Sequence, residues 1–434
     1  MAGLAAMPLT MLVCAASFTP LAPQSAGAIV SSSRITLATG WRIQSSAALG
    51  TAPHGAAGWG ETISTPAFTT AGWYKATVPT TVVAALVAAK VYPDPDYGMN
   101  LRDIPGESYP IGRNFANLPM SGDSPFRVSW WFRTAFTVPE SMRGKHIALH
   151  FDGINYRANV WMNGVRIATS DSVAGMFRLY EFDVTGTARA GTTNVLAVEV
   201  FPPEVSDLAM TWVDWNPAPP DKDMGIWRPV SVTANGPVAL RFPQVRSRVD
   251  TATLARADLT ITVETRNETA APVHGVVRGR IGTVLVSRPV ALAPHESQLV
   301  RLSADSFPQL SFVKPRLWWP AGLGPGTPNL YDLDLSFDID GVISDRQAVR
   351  FGIRDITSET TPQGGRLFLV NGRRILIRGG GWAPDMLLRA DPARQEEEIR
   401  YVRDLGLNAV RLEGKLEDEH FFDLTDRYGV LVLA

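Results

Sequence analysis

The chain has 434 residues, 45% of them hydrophobic, and its 41 Lys and Arg side chains nearly balance 42 Asp and Glu for a formal net charge of −1. This balance excludes a global basic field of the kind that holds nucleic acid or an anionic membrane. The length exceeds what one ordinary core accommodates and predicts about two to four domains.

The N-terminus has the pattern of an export signal. Leu4 to Ala16 form an apolar run of signal-peptide length, and Ala26-Gly27-Ala28 supplies small residues for cleavage before Ile29. No Lys or Arg precedes the run, which departs from the usual signal pattern, but the run is too short to span a bilayer. We therefore expect a signal peptide at residues 1–28. The excess of Arg over Lys and the abundance of Ala suggest a GC-rich bacterial genome. Together with the signal peptide, this composition leads us to expect a secreted, extracellular bacterial protein.

Short strands and turns dominate residues 29–236. His146–Asp152 alternates apolar and polar side chains as a half-buried strand does, and Asn194–Phe201 is a further strand. Asn163-Gly164 separates two strand patterns and favours a type I′ hairpin turn, because both residues accept positive φ angles. Thr81–Lys90 has the pattern of a short helix. The region is predicted to form an all-β sandwich of jelly-roll type.

A second group of strand patterns fills residues 237–355. Leu259, Ile261 and Val263 alternate with polar residues, and Asp340-Gly341 is another hairpin signal. The length and patterning predict an immunoglobulin-like β-sandwich without the cysteine pair of antibody domains.

The pattern changes after residue 356. Arg366–Val370 and Arg374–Arg378 flank Asn371-Gly372, which predicts a hairpin. Asp391-Pro392 is a strong helix start, and Gly406 ends that helix. The remaining predicted elements are a strand at Asn408–Leu412, a helix at Asp418–Arg427 and a strand at Val430–Leu433. This alternation predicts parallel βαβ units with an uncovered edge, so we expect the chain to be the front part of a longer protein.

Motifs that resemble glycoside hydrolase family 2 occur in order along nearly the whole chain. They are Phe151-Asp152-Gly153, Asn159 to Gly164, Gly225 to Val230, Leu317 to Pro320, Pro328 to Tyr331, Phe351 to Arg354, Phe368 to Gly372 and Arg378 to Asp385. The resemblance implies a sugar-binding jelly-roll sandwich, then an immunoglobulin-like sandwich, then at 356–434 the first βα units of a truncated catalytic (β/α)8 TIM barrel.

Within the family, three stretches are similar to exo-β-D-glucosaminidases, which act on chitosan: Asp96–Asn100, Val213–Asp221 and Arg411–Gly414. The resemblance implies a retaining β-glycoside hydrolase that releases glucosamine from chitosan oligosaccharides. A β-mannosidase or endo-β-mannosidase is an alternative within the family. A non-catalytic carbohydrate-binding protein is an alternative from another class, although such a protein has no use for the βα segment after residue 366.

Three side chains are candidates for substrate binding. Trp382 and Asp385 follow the first parallel strand and Glu413 follows the second, where barrel enzymes form their sites. Asp385 can accept hydrogen bonds from two sugar hydroxyls, and Glu413 can pair with the ammonium of a glucosamine unit. In the alternative interpretation, Trp382 roofs the barrel and Glu413 is a structural partner of Arg411 or Arg378.

The catalytic residues are not expected within this sequence. A retaining glycosidase needs an acid and a carboxylate nucleophile about 5 Å apart. The family resemblance places them after the fourth and seventh barrel strands, beyond residue 434, so the chain alone is predicted to be inactive. The loop Trp212–Asp221 suits either the border of a sugar site or domain packing.

Scattered His residues and a single Cys14 indicate no metal site, and no cofactor is expected. The expected partner is an oligosaccharide, with neither nucleic acid nor membrane bound, and a monomer is favoured.

Overall fold

The structure is a computed structural model that describes residues 34–50, 58–106, 119–208, 218–324, 328–389, 391–413 and 415–434. The expected signal peptide lies outside the described residues, as does most of the loop Trp212–Asp221. In the described ranges, no helix has the length and apolar character needed to cross a membrane.

The first part of the described chain is a β-sandwich. Its elements are β1 (Arg34–Thr36), β2 (Trp41–Ser45), α1 (Trp59–Ile63), β3 (Tyr74–Ala76), β4 (Thr80–Thr81), α2 (Val82–Ala88), β5 (Trp130–Thr137), β6 (His146–Phe151), β7 (Arg157–Met162), β8 (Val165–Ala168), β9 (Tyr180–Asp183), β10 (Thr193–Phe201), β11 (Gly225–Ile226) and β12 (Val230–Asn235). One sheet has the order β1-β12-β6-β9 and the other β3-β2-β5-β10-β7-β8, while β4 pairs with β11. Leu149 and Val232 from the first sheet and Phe132 and Val198 from the second share one core, which fixes the two sheets face to face.

Two local predictions in this sandwich are confirmed. Asn163 and Gly164 have φ angles of 52° and 84° between β7 and β8, because a two-residue hairpin of this type needs positive φ at both positions. The predicted short helix is α2, and the Thr81 hydroxyl at its N-cap accepts a hydrogen bond from the Ala84 amide at 3.2 Å.

A second β-sandwich follows. Its strands are β13 (Val238–Val249), β14 (Arg256–Asn267), β15 (Val273–Ile281), β16 (Val284–Leu292), β17 (Ser297–Ser303), β18 (Ser311–Val313), β19 (Tyr331–Ile339) and β20 (Val342–Phe351). One sheet has the order β13-β14-β17, with β18 also paired to β14, and the other has the order β16-β15-β19-β20. Leu259, Ile261 and Val263 are fully buried, which confirms the alternation predicted along β14.

The remaining elements combine a small antiparallel sheet with a parallel one. They are β21 (Ile356–Thr360), β22 (Arg366–Val370), β23 (Arg373–Ile375), β24 (Gly379–Trp382), α3 (Pro392–Asp404), β25 (Ala409–Leu412), α4 (Glu419–Tyr428) and β26 (Leu431–Leu433). Strands β21, β22 and β23 are antiparallel, whereas β24, β25 and β26 pair in parallel with α3 and α4 as the crossovers. The predicted parallel βαβ arrangement is confirmed, and we call residues 379–434 the parallel unit.

The position of the first parallel strand differs from the expectation. Trp382 is the last residue of β24 rather than a residue after the strand, and the strand consists largely of a glycine run. Glycine has a low strand propensity, so composition does not predict a strand here. The run pairs because the two backbones approach closely: a Cβ on Gly379 would lie 2.1 Å from the carbonyl oxygen of Ala409 on β25.

Candidate functional site

A cavity of ≈ 590 Å³ opens between the parallel unit and the first sandwich. Trp382 from the end of β24 lines it, together with Asp391 and Asp418, which cap the amino ends of α3 and α4. Trp227 and Arg228 from the first sandwich form the facing wall. The cavity therefore lies at the carboxyl ends of the parallel strands, where sequence analysis expected a site.

Trp382 is held on two sides. Its ring packs against Phe421 with ring centroids 5.2 Å apart, and its Nε1 donates a hydrogen bond to Glu417 Oε1 at 2.8 Å. Burial raises the pKa of Glu417, while the bond from Trp382 opposes that rise by favouring the carboxylate. Trp382 thus contacts the core of the parallel unit and lines the cavity at once.

Asp385 also lines the cavity, but its carboxylate already has partners. Both oxygens accept from Arg389 Nε at 3.0 Å, and Oδ1 accepts from the Leu387 amide at 3.0 Å. Arg389 reaches further, to Asp94 at 3.0 Å and to Asp96. Burial lowers the pKa of Arg389, but its contacts with Asp385 and Asp96 outweigh burial and raise it overall. Three carboxylates therefore surround one guanidinium.

Glu413 lies beside the cavity and is not part of its described wall. Its amide donates to the Trp382 carbonyl at 2.8 Å, which places it directly after the paired strands β24 and β25. Its carboxylate pairs with Arg411, one of the alternatives left open by the sequence. Because the Arg411 side chain is 64% exposed, the pair is weakly held and leaves Glu413 able to exchange partners.

The Glu413 carboxylate lies against the backbone of Gly381. A Cβ added to Gly381 would lie 2.8 Å from Glu413 Oε1. A Cβ added to Gly380 would meet nothing within 4 Å. Gly381 therefore leaves room for the carboxylate at this location, and Gly379 allows the close pairing of the strands.

The described wall of the cavity has an excess of acidic side chains. The acidic ones are Asp96, Asp385, Asp391, Glu398, Glu417 and Asp418, and the basic ones are Arg228, Arg389 and Arg394. Such an excess creates a negative potential that attracts cationic ligands. Across the described ranges, no group of three or more His, Cys, Asp or Glu is arranged to hold a metal ion.

The structure brings Trp382 and Asp385 to one cavity, with Glu413 adjacent. Arg411 was a partner expected for Glu413, but the charged partners of Trp382 and Asp385 were not expected from the sequence. Asp96 belongs to a motif that resembled glucosaminidases, so a signal for it was present. Arg389 gave no such signal, because its contacts to Asp94 and Asp96 span 295 and 293 residues.

Comparisons with known proteins match this architecture. Residues 238–354 match the glycosyl hydrolases family 2 domain, and residues 123–209 match the galactose-binding domain-like region of glycosyl hydrolase 2. An exo-β-D-glucosaminidase of Streptomyces avermitilis is 42% identical over 92% of this chain. A mannosylglycoprotein endo-β-mannosidase of Lilium longiflorum is 32% identical over 85% of it. The chain spans 41% and 40% of the lengths of these two relatives.

A solved structure is similar to the chain in three dimensions. The crystal structure of an Amycolatopsis orientalis exo-chitosanase superposes with a TM-score of 0.80 and 35% sequence identity. The match covers 92% of this chain and 43% of that one.

Proposed function

The chain belongs to glycoside hydrolase family 2 through its two sandwich domains, and we propose that it contributes the amino-sugar site of an enzyme that releases glucosamine from chitosan oligosaccharides. The acidic character of the cavity and its surroundings carries this proposal. A glucosamine unit is cationic when its amine is protonated, and a cationic sugar gains more than a neutral one from an acidic site.

Three side chains have distinct roles in the proposal. Glu413 accepts a charge-assisted hydrogen bond from the sugar ammonium after exchanging its exposed partner Arg411. Trp382 offers its ring to the apolar face of the sugar. Asp385 acts as part of the cluster with Arg389, because its oxygens are already engaged by that guanidinium.

The chemistry proposed is a retaining displacement on a (β/α)8 barrel, of which the parallel unit is the beginning. Such a displacement needs two carboxyl groups about 5 Å apart, one as acid and one as nucleophile. The acidic side chains of the cavity instead cap helices, pair with Arg389 or Arg394, or accept from Trp382. We therefore assign the acid and the nucleophile to residues outside this chain and expect the chain to bind sugar without hydrolysing it.

The test compares ligands that differ in the 2-substituent or in configuration. We expect the purified chain to bind a β-1,4-linked glucosamine disaccharide more tightly than cellobiose or mannobiose in isothermal titration calorimetry. The preference should weaken in high salt, because screening reduces the contribution of charge. No turnover of an aryl β-D-glucosaminide is expected from the same preparation.

Other outcomes point to the alternatives. Tighter binding of mannobiose would favour the endo-β-mannosidase interpretation, for which the Lilium longiflorum relative is the supporting observation. Equal binding of all three disaccharides would favour a general carbohydrate-binding protein. Turnover by the chain would place a catalytic pair within the 434 residues.

A further inference from the structure

The connection between β25 and α4 carries Glu413, Glu417 and Asp418, and we call its described residues, 413 and 415–418, the acidic loop. At its start, the loop is bonded to strand β24, because the Glu413 amide donates to the Trp382 carbonyl. Its remaining described contacts include several with the first sandwich, which lies about 190 residues earlier in the sequence.

The deepest of these contacts is an ion pair between Lys415 in the loop and Asp223 in the first sandwich. Both side chains are only 1% exposed. Burial lowers the pKa of Lys415 and raises that of Asp223, while the contact between them favours the charged form of each. A charge buried this deeply is stable only next to its partner, so the location of Asp223 determines that of Lys415.

Asp223 itself is firmly anchored. Asn155 Nδ2 donates to the carbonyl oxygens of Lys222 and Asp223 at 3.0 and 2.9 Å. The Asp223 amide donates to Asp221 Oδ1 at 3.0 Å, and Asp221 Oδ2 accepts from the Val83 amide at 2.7 Å. Asp223 is therefore tied to α2 and to the loop before β7, both of which belong to the first sandwich.

A second contact holds the next residues of the loop. Arg228 Nη2 donates to the carbonyl oxygens of Leu416 and Glu417, both at 2.9 Å. The guanidinium lies 4.3 Å from the centre of the Trp227 ring, and Trp227 Nε1 donates to the Met176 carbonyl at 3.0 Å. The loop is thus held from the first sandwich at three consecutive residues.

We propose that Asp223 is a positioning residue for Glu413, which it fixes through Lys415 two residues further along the loop. The inference rests on the proposed function, in which Glu413 binds the ammonium of a glucosamine unit. The first sandwich then determines amino-sugar specificity through a residue with a 1% exposed side chain that is not among the described residues lining the cavity.

The test uses the whole chain and four variants: Asp223→Asn, Lys415→Met, the double variant Asp223→Asn/Lys415→Met and the control Asp345→Asn. Asp223→Asn keeps the shape and the left-handed backbone, which Asn accepts at the φ of 57° found here. The double variant removes both charges, so neither is left buried alone. Asp345 is a buried carboxylate in the second sandwich that accepts from the Leu240 amide at 2.8 Å, and none of its described hydrogen bonds reaches the loop.

Two measurements are made on each variant. Hydrogen–deuterium exchange follows the amides of residues 413–418, and calorimetry gives the affinity for the glucosamine disaccharide and for cellobiose. We expect Asp223→Asn, Lys415→Met and the double variant to speed exchange in the loop. Glucosamine binding should weaken about 10- to 100-fold, within the range for loss of the Glu413 ion pair itself. Cellobiose binding should change less, and the control should leave exchange in the loop unchanged.

The double variant separates positioning from stability. It should recover thermal stability relative to Asp223→Asn while its glucosamine affinity stays low. Recovery of affinity together with stability would overturn the inference, as would unchanged loop exchange in Asp223→Asn. If the unaltered chain binds neither disaccharide, the proposed function fails, and the exchange measurement alone still decides whether Asp223 fixes the loop.

Discussion

The first sandwich contacts the loop that precedes α4, whereas the second sandwich contacts the carboxyl-terminal end of the helix. The first sandwich holds the acidic loop ahead of the helix, through Asp223 and Arg228, beside the cavity. The second sandwich holds the other end: Trp318 Nε1 donates to the Asp426 carbonyl at 2.7 Å, and Arg354 pairs with Asp426 at 2.9 Å. None of the described residues of that second contact lines the cavity.

The difference indicates that the contacts at the two ends of α4 have different roles. A contact that touches only the carboxyl-terminal end of α4 can stabilise the parallel unit without shaping the site. A contact at the amino-terminal end fixes both the fold and the residues that face a ligand. Variants at the two ends should therefore separate stability from ligand affinity.

Arg354→Met should have the largest effect, on stability. Asp426 is buried, burial already raises its pKa, and Arg354 is the cation that opposes this rise. Leaving Asp426 without that cation should lower the free energy of unfolding by about 3–5 kcal/mol, measured by urea denaturation. Sugar affinity at a temperature where the variant is folded should not change.

Arg350→Met provides the control for that prediction. Arg350 pairs with Asp332 and Asp423, but its side chain is 44% exposed and Asp423 keeps Arg427 as a second cation, so its loss should cost at most about 1 kcal/mol. A fall in glucosamine affinity in Arg354→Met would show that the two ends of α4 are coupled, and the difference in roles proposed above would not hold.

Glu413→Gln should have the opposite signature, a loss of ligand affinity with little loss of stability. Gln keeps the volume and an acceptor but cannot form an ion pair with an ammonium. Removing one side of such a pair costs about 2–5 kcal/mol, or tens- to thousands-fold in affinity for the glucosamine disaccharide by calorimetry. Binding of neutral disaccharides should barely change.

Arg411→Gln is the matched variant, because it removes the exposed partner and keeps the carboxylate. It should preserve or improve glucosamine binding. If Glu413→Gln weakens amino and neutral sugars by the same factor, Glu413 has a structural role, and the mannosidase alternative gains support.

Gly381→Ala sharpens the comparison by displacing Glu413 without removing it. The added Cβ would lie 2.8 Å from Glu413 Oε1, so the carboxylate has to shift. Because that oxygen is the far end of a flexible side chain, stability should barely change, and we expect glucosamine affinity to fall by less than about tenfold, or about 1.4 kcal/mol. Gly380→Ala, where nothing lies within 4 Å, should bind normally, and equal losses in both variants would contradict the explanation.

Much of the fold follows from local signals in the sequence. Asn163-Gly164, Asp340-Gly341 and Asn371-Gly372 all have positive φ in hairpins, because turn chemistry is decided by neighbouring residues. Asp391 caps α3 through the amides of Ala393 and Arg394, as its sequence predicted.

The site was less accessible to prediction, because its contacts join distant parts of the chain. Asp223 and Lys415 lie 192 residues apart, and the sequence around each of them does not indicate a buried ion pair. Strand β24 was misplaced for a related reason: its glycines pair because another backbone approaches them, and that neighbour is 30 residues away. A contact between two residues distant in the sequence leaves no local pattern around either of them.

The last comparison concerns pH and sets one buried carboxyl of the first sandwich against one of the second. Burial and the neighbouring Asp223 raise the pKa of Asp221 from 3.8 to about 7, while amides of Val83 and Asp223 oppose the rise. Between about pH 4 and pH 7, the Asp221 carboxyl is protonated in the folded state but has released its proton in the unfolded state. Stability from this group therefore falls as pH rises from about 4 to 7, by at most about 1.4 kcal/mol per pH unit, and is level above 7.

Asp221→Asn imitates the protonated carboxyl and does not titrate, so its melting temperature should rise relative to the unaltered chain across that interval. The groups around Asp221 that carry charge, Asp223 and Lys415, are present in both proteins and largely cancel in the difference. Asp345→Asn should behave in the same direction but only up to about pH 6, because burial raises the pKa of Asp345 to about 6. Thermal melts from pH 4 to 8 check both. A difference for Asp221→Asn that does not vary with pH would mean that Asp221 is ionised throughout, stabilised as a carboxylate by the two amides and Lys415, and the first sandwich would then hold the acidic loop with two charges.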